Sequence, residues 1–163
     1  MSDSSLIAIV GDDDYLVRQR AKEVFEKLSP NFPEDLSREI IDGRAEKVEI
    51  VEQILNEAKS ACKTLSLFGG GKLVWINEIN FLNQSKTGSS KGTKDALDAV
   101  KSSFENLDGC KIIISACPVH RNHSFVKWLQ KNASYEDVAK QEKEDTAFRR
   151  IVEETAKEFG VSF

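Results

Sequence analysis

The sequence predicts an α/β domain with a five-stranded, mostly parallel sheet and helices on both faces, a Rossmann-like arrangement. Short apolar runs alternate along the chain with segments whose apolar residues have helical spacing. Apart from a weaker run at 134–138, these segments are rich in apolar residues, which is typical of parallel strands covered on both faces by crossover helices. With 163 residues, 40% of them hydrophobic, the chain is long enough to bury the core of one ordinary domain.

Each element of this pattern can be placed on the chain. The five predicted strands cover residues 6–10, 36–41, 73–76, 111–115 and 134–138. The helices between them are indicated by apolar residues three or four positions apart, over 17–28, 48–61, 96–104 and 125–129. Asp12 and Asp13 precede the first helix, where a carboxylate can cap the free backbone amides.

Two polar segments interrupt the pattern. Residues 83–92 contain glycine and serine without any periodicity, so we expect a mobile, poorly ordered insertion. Residues 140–145 are charged, and an amphipathic helical pattern follows them and ends at Gly160. We therefore expect one domain over 1–140, with 141–163 forming a hinge and the first helix of a truncated second, helical domain.

Composition bounds the function classes. The net charge of −4 and a pI near 5.3 argue against binding nucleic acid by bulk electrostatics, although Lys86, Lys91 and Lys94 form a local basic cluster in a segment that we interpret as solvated. No apolar run approaches the roughly 20 residues that span a bilayer, and the N-terminus lacks a signal-peptide layout, so we expect a cytoplasmic protein without membrane contact. The three cysteines are irregularly spaced, which favours reduced thiols near the core.

The loop after the first strand does not have the residues of a phosphate-binding loop. Gly11 is followed by three aspartates, whose carboxylates repel an anion, and no Gly-Lys-Ser/Thr follows. The run Gly-Gly-Gly-Lys at 69–72 precedes a strand and has no hydroxyl residue after the lysine. Asn77 and Glu78 stand where nucleotide hydrolases carry an acidic pair for magnesium. ATP binding is therefore disfavoured.

Other chemistries fit the residues less well. Asp12, Asp13 and Ser115 match a phosphoacceptor receiver domain, but Asn77 stands where the phosphorylated aspartate should lie. Cys117, His120 and His123 do not have a standard zinc spacing, and no fourth ligand is evident. No local nucleophile signature occurs. We assign no catalytic residue, metal or cofactor, and a receiver-like regulatory or nucleotide-binding α/β domain remains the alternative.

The most informative segment is the connection between the second helix and the third strand. It carries Leu67 and Phe68, with Ser66 before them and three glycines behind them. Glycines permit a tight turn that could present the pair outward as a plug for a partner's pocket. Alternatively, Phe68 folds back over the core, as apolar residues near element ends commonly do. The residues alone leave both interpretations open.

The order and spacing of these motifs resemble the delta subunit of bacterial DNA polymerase III, the clamp-loader component that opens the sliding clamp. The motifs are the first strand with Gly-Asp-Asp-Asp-Tyr-Leu at 11–16, Leu-Ser-Leu-Phe-Gly at 65–69 before the third strand, the run at 111–115, Lys-Trp-Leu at 127–129, and the helix after the charged hinge. The similarity covers nearly the whole chain.

This resemblance implies an AAA+-like domain without a functional ATP site, which agrees with the altered loop after the first strand. It also implies that Ser66, Leu67 and Phe68 bind the sliding clamp (the beta subunit), while ATP acts in partner subunits. The chain itself would be non-catalytic within a polymerase complex that is a nucleotidyltransferase. Domains beyond residue 163 would join the other clamp-loader subunits, and contact with DNA would be at most indirect.

Overall fold

Five parallel strands form one sheet in the part of the chain that the computed structural model describes, residues 5–63 and 71–138. The strand order is β2-β3-β4-β1-β5. None of the helices in these residues is long and apolar enough to cross a membrane. The elements are β1 Leu6–Val10, α1 Asp14–Leu28, β2 Arg38–Asp42, α2 Val48–Lys63, β3 Lys72–Ile79, α3 Lys91–Glu105, β4 Cys110–Ala116, α4 Ser124–Asn132 and β5 Ser134–Asp137.

The predicted α/β fold with helices on both faces is confirmed. The chain passes from β1 to the far edge of the sheet and then returns across it, so right-handed connections place α1 on one face and the other three helices on the opposite face. Val17 and Ala21 of α1 pack with Leu73 and Trp75 on the first face. The second face buries a larger core under α2, α3 and α4 that includes Ile112.

The second strand departs from the prediction in position and burial. Residues Asp35–Ser37 form a single 3₁₀ turn, and β2 begins only at Arg38. Full cover on both faces was the wrong expectation here: Ile40 in the strand is 55% exposed, and Leu36 in the preceding turn is 69% exposed. The physical reason is that α1, the one α-helix on its face among residues 5–63 and 71–138, packs over the central strands, which leaves the β2 edge uncovered.

The expectation of a mobile insertion over 83–92 was also wrong. Phe81 and Leu82 just before it are fully buried, and the amide of Asn83 donates to the carbonyls of Asn80 and Pro118 at 3.0 and 2.9 Å. The Thr87 hydroxyl donates to a carbonyl in the loop before α2 at 2.9 Å. Polar side chains therefore hold the segment through hydrogen bonds that need no periodic pattern, and its last two residues already belong to α3.

The predicted second unit, residues 141–163, lies outside the described residues. Its assignment as a hinge and the first helix of another domain therefore stays a prediction.

Candidate functional site

The first candidate site is the crevice between the carboxyl ends of β1 and β4. In open parallel sheets, ligands bind where neighbouring strands send their connections to opposite faces. β1 leads into α1 on one face, whereas β4 leads toward α4 on the other. Gly11 to Asp13 border this crevice from the β1 side, and Cys117 to Arg121 border it from the β4 side. A nucleotide would be expected here if the domain bound one.

The N-terminus of α1 is capped by the chain's own carboxylate. Asp13 is the N-cap residue, and its Oδ1 accepts from the Leu16 backbone amide at 3.2 Å. This confirms the predicted capping role for Asp13 but not for Asp12, which instead lies beside Arg121. The helix terminus that would receive a phosphate in a nucleotide-binding protein therefore already has an anionic partner.

Arg121 joins three elements around the crevice. Its guanidinium donates to Asp137 at the end of β5 at 2.7 and 3.0 Å, and its Nη1 lies 3.1 and 3.2 Å from the two oxygens of Asp12. The hydrogen bonds with Asp137, followed by those with Asp12, raise the pKa of Arg121 above its already high value. The cation at this position is thus neutralised by two protein carboxylates.

The rest of the crevice is electronegative. Burial raises the pKa of the Cys117 thiol to about 11, and the neighbouring charges of Asp14, Asp12 and Asp13 add to this effect. Arg18 is already paired with Asp14 at 3.1 Å and with Glu78 at 2.9 Å. A phosphate entering the crevice would meet these carboxylates, and it would have to displace them to reach the arginines.

The end of β3 forms a closed polar network. The Ser115 hydroxyl accepts from the Trp75 indole at 2.9 Å and donates to the Asn77 side-chain oxygen at 3.2 Å. Ser115 is 1% exposed. The two positions that a receiver domain would use for phosphoryl chemistry are therefore bonded to each other inside the protein.

The histidines have structural partners. His123 caps α4 by accepting from the Phe125 amide at Nδ1, so we assign the proton to Nε2, which lies 3.1 Å from the Gly88 carbonyl. His120 Nε2 lies 3.2 Å from the side-chain amide of Gln84. Over residues 5–63 and 71–138, no three His, Cys, Asp or Glu side chains form a group that could hold a metal ion.

The second candidate site is the connection from α2 to β3, and its key residues Ser66, Leu67 and Phe68 lie outside the described residues. The flanks are defined. α2 ends at Lys63, and Gly71 precedes β3 in a position where an added Cβ would lie 2.5 Å from the carbonyl oxygen of Gly109. Since all strands are parallel, the connection enters the amino-terminal edge of the sheet, opposite the crevice.

The fold and the crevice define a class: a Rossmann-like α/β domain that carries ion pairs and a carboxylate cap where nucleotide-binding proteins of P-loop type carry a phosphate loop. Residues 8–139 match the family model described as DNA polymerase III, delta subunit, and the chain belongs to this family. The delta subunit is a component of the clamp loader, so membership of this family gives the chain a role in DNA replication.

Two further comparisons complete the findings. No curated protein matches the chain significantly. Among solved structures, the chain is similar to the genome packaging NTPase B204 from Sulfolobus turreted icosahedral virus 2, at 16% sequence identity and a TM-score of 0.42, over 82% of this chain and 84% of that one.

Proposed function

We propose that this domain binds the sliding clamp through Leu67 and Phe68, with Ser66 in the same contact, and helps to open the clamp ring for loading onto DNA. The observation that carries the proposal is a Ser-Leu-Phe sequence at 66–68 in a member of the delta subunit family. The segment precedes β3, which begins at the edge of the sheet away from the ion-paired crevice.

The energetics suit a plug that enters an apolar pocket. Burying each of the two side chains contributes roughly 1.5–3 kcal/mol, which is the size of an interface hot spot. Binding that is stronger to the open ring than to the closed ring would shift the population toward the open form. The domain would act by this differential binding, without catalysis, in the cytoplasm.

The remaining partners follow from the same proposal. ATP would act in other clamp-loader subunits, because the crevice of this domain is filled by its own charges. Those subunits would be reached through further domains, and the net charge of −4 fits at most indirect contact with DNA.

Calorimetric titration with the sliding clamp from the same organism tests the proposal. The parent chain should bind, and Leu67→Ala combined with Phe68→Ala should weaken binding by about a hundredfold or more, since about 3 kcal/mol or more is lost. A matched control is Leu36→Ala with Ile40→Ala, because these exposed apolar residues lie in the turn before β2 and in β2 itself. No binding by the parent, or equal losses in both double variants with the fold intact by circular dichroism, would refute the proposal.

A further inference from the structure

Two of the three cysteines lie side by side. Cys62 is in the last turn of α2, and Cys110 is the first residue of β4. Both are free thiols, and the two residues line the same cavity. Both side chains join the larger core, although 48 positions separate them along the chain. The fold therefore creates a dithiol pair that the irregular cysteine spacing gives no reason to expect.

This pair borders a cavity at the amino-terminal edge of the sheet. The cavity has a volume of about 330 Å³ and is also lined by Lys59, Lys63 and Leu107. Cys62 is partly exposed, whereas Cys110 is 1% exposed. A small reagent in the cavity therefore has better access to Cys62 than to Cys110.

The electrostatics favour the same residue. The hydrogen bond from Cys110 lowers the pKa of Cys62, and the positive charge of Lys72 adds to this effect against the cost of burial. The same hydrogen bond, followed by burial, raises the pKa of Cys110. The thiolate is the reactive form of cysteine, so Cys62, which is the more exposed thiol and the one whose pKa is lowered, is the nucleophile of the pair.

We propose that Cys62 and Cys110 form a redox-sensitive dithiol site, in which Cys62 reacts first with a two-electron oxidant of the peroxide class and Cys110 then closes a disulfide. The site is separate from the ion-paired crevice and does not depend on the clamp-binding proposal.

The chemistry balances with hydrogen peroxide as the oxidant. The Cys62 thiolate attacks one peroxide oxygen, the O–O bond breaks, and the departing hydroxide takes a proton to give water and a sulfenic acid on Cys62. The Cys110 sulfur then attacks the Cys62 sulfur, the S–O bond breaks, and the leaving hydroxide takes the Cys110 proton as a second water. Two thiols and one peroxide give one disulfide and two waters.

Cys117 provides an internal control within the same molecule. It is also partly exposed, but burial and three aspartates raise its pKa to about 11, so it is protonated at neutral pH. Accessibility alone would let Cys117 react as readily as Cys62. The dithiol proposal instead requires that Cys117 remain a thiol while the other two cysteines are oxidised.

Peptide mapping of the full chain tests this directly, since trypsin leaves each cysteine on its own peptide, residues 60–63, 102–111 and 112–121. The native chain is treated with stoichiometric hydrogen peroxide, remaining thiols are blocked with N-ethylmaleimide, and the digest is analysed by mass spectrometry. We expect a peptide pair linked between Cys62 and Cys110 that dithiothreitol separates, with Cys117 blocked. Linkage through Cys117, or all three cysteines found blocked, would overturn the proposal.

Variants separate the roles of the two thiols. Cys117→Ser should retain the linked pair, and Cys62→Ser should lose it. A time course with limiting iodoacetamide on the parent chain should label Cys62 before Cys117 at neutral pH. This measurement uses the unmodified fold, and faster labelling of Cys117 would contradict the assignment of Cys62 as the reactive thiol even if a variant failed to fold.

Discussion

Arg121 and Asp137 form a two-pronged ion pair across the carboxyl edge of the sheet, with Nε and Nη2 each donating to one carboxylate oxygen. The third nitrogen of the guanidinium reaches Asp12 after β1. A charged group at the switch point of a parallel sheet would ordinarily be available to a ligand. In this domain the same charges join the loops after β1 and β4 to the end of β5. The ion pairs in the crevice therefore stabilise the fold.

Removing the guanidinium should therefore cost stability. We expect Arg121→Met, which keeps an apolar stem, to lower the free energy of unfolding by about 1–2 kcal/mol, because the charge-assisted bonds to Asp137 are lost but the partly exposed group is screened. Asp12→Asn should cost less than about 0.5 kcal/mol, since the Asp12 side chain is 59% exposed. Urea denaturation checks both, and equal losses would contradict the ranking.

The capped helix terminus and the carboxylates around the crevice predict that nucleotides do not bind. Millimolar ATP or ADP with magnesium should leave the melting temperature of the domain unchanged, because a ligand that binds only the folded state would raise it. Differential scanning fluorimetry provides the measurement, with magnesium chloride alone as the control. A nucleotide-dependent rise would favour the nucleotide-binding alternative over the present assignment.

His123 predicts a pH dependence of stability. Burial lowers its pKa in the folded state below the ordinary value of 6.5, and the charges of Lys94 and His120 add to this while the bond to Gly88 opposes it. The unfolded chain then takes up the proton more readily, so stability is full above pH 6.5 and falls as the pH drops below it toward the folded-state pKa.

His123→Asn should flatten this fall, because asparagine can still cap α4 but does not titrate. Urea denaturation midpoints measured between about pH 7.5 and pH 5.5 would show the difference, because an imidazole titrates in this range. His120→Asn serves as the matched control. A stability profile that flattens with pH in this variant but not in His123→Asn would contradict the assignment of the effect to His123.

Gly71 is required by close approach of two backbones. The Cβ of an alanine here would lie 2.5 Å from the Gly109 carbonyl oxygen and 3.0 Å from the Phe32 ring. We expect Gly71→Ala to destabilise the domain by about 1–3 kcal/mol. At Gly92, the atom in the way is a side-chain methyl of Val48, and alanine also favours the helix. The Gly92→Ala loss should therefore be smaller when both are measured by urea denaturation.

The positions of the strands and helices could be predicted because each depends on a short local pattern. Apolar runs lie within β1, β3 and β4, and apolar residues at helical spacing lie in every described helix. The insertion at 83–92 was misjudged because its order comes from side-chain hydrogen bonds to distant carbonyls, such as that of Pro118. Periodicity carries no signal for such contacts.

The candidate sites also combine local motifs, which the sequence shows, with contacts between distant residues, which it does not. The missing phosphate loop and the Ser-Leu-Phe sequence at 66–68 can be read from neighbouring residues, because each is a local motif. Asp12 and Arg121 are 109 positions apart, and Cys62 and Cys110 also meet only in the folded chain. These pairs depend on which strands become neighbours in the sheet, and strand order follows from the packing of the whole chain. Local pattern therefore sets the elements and rules out the nucleotide loop, whereas long-range packing brings together the charges and thiols that occupy the edges of the sheet.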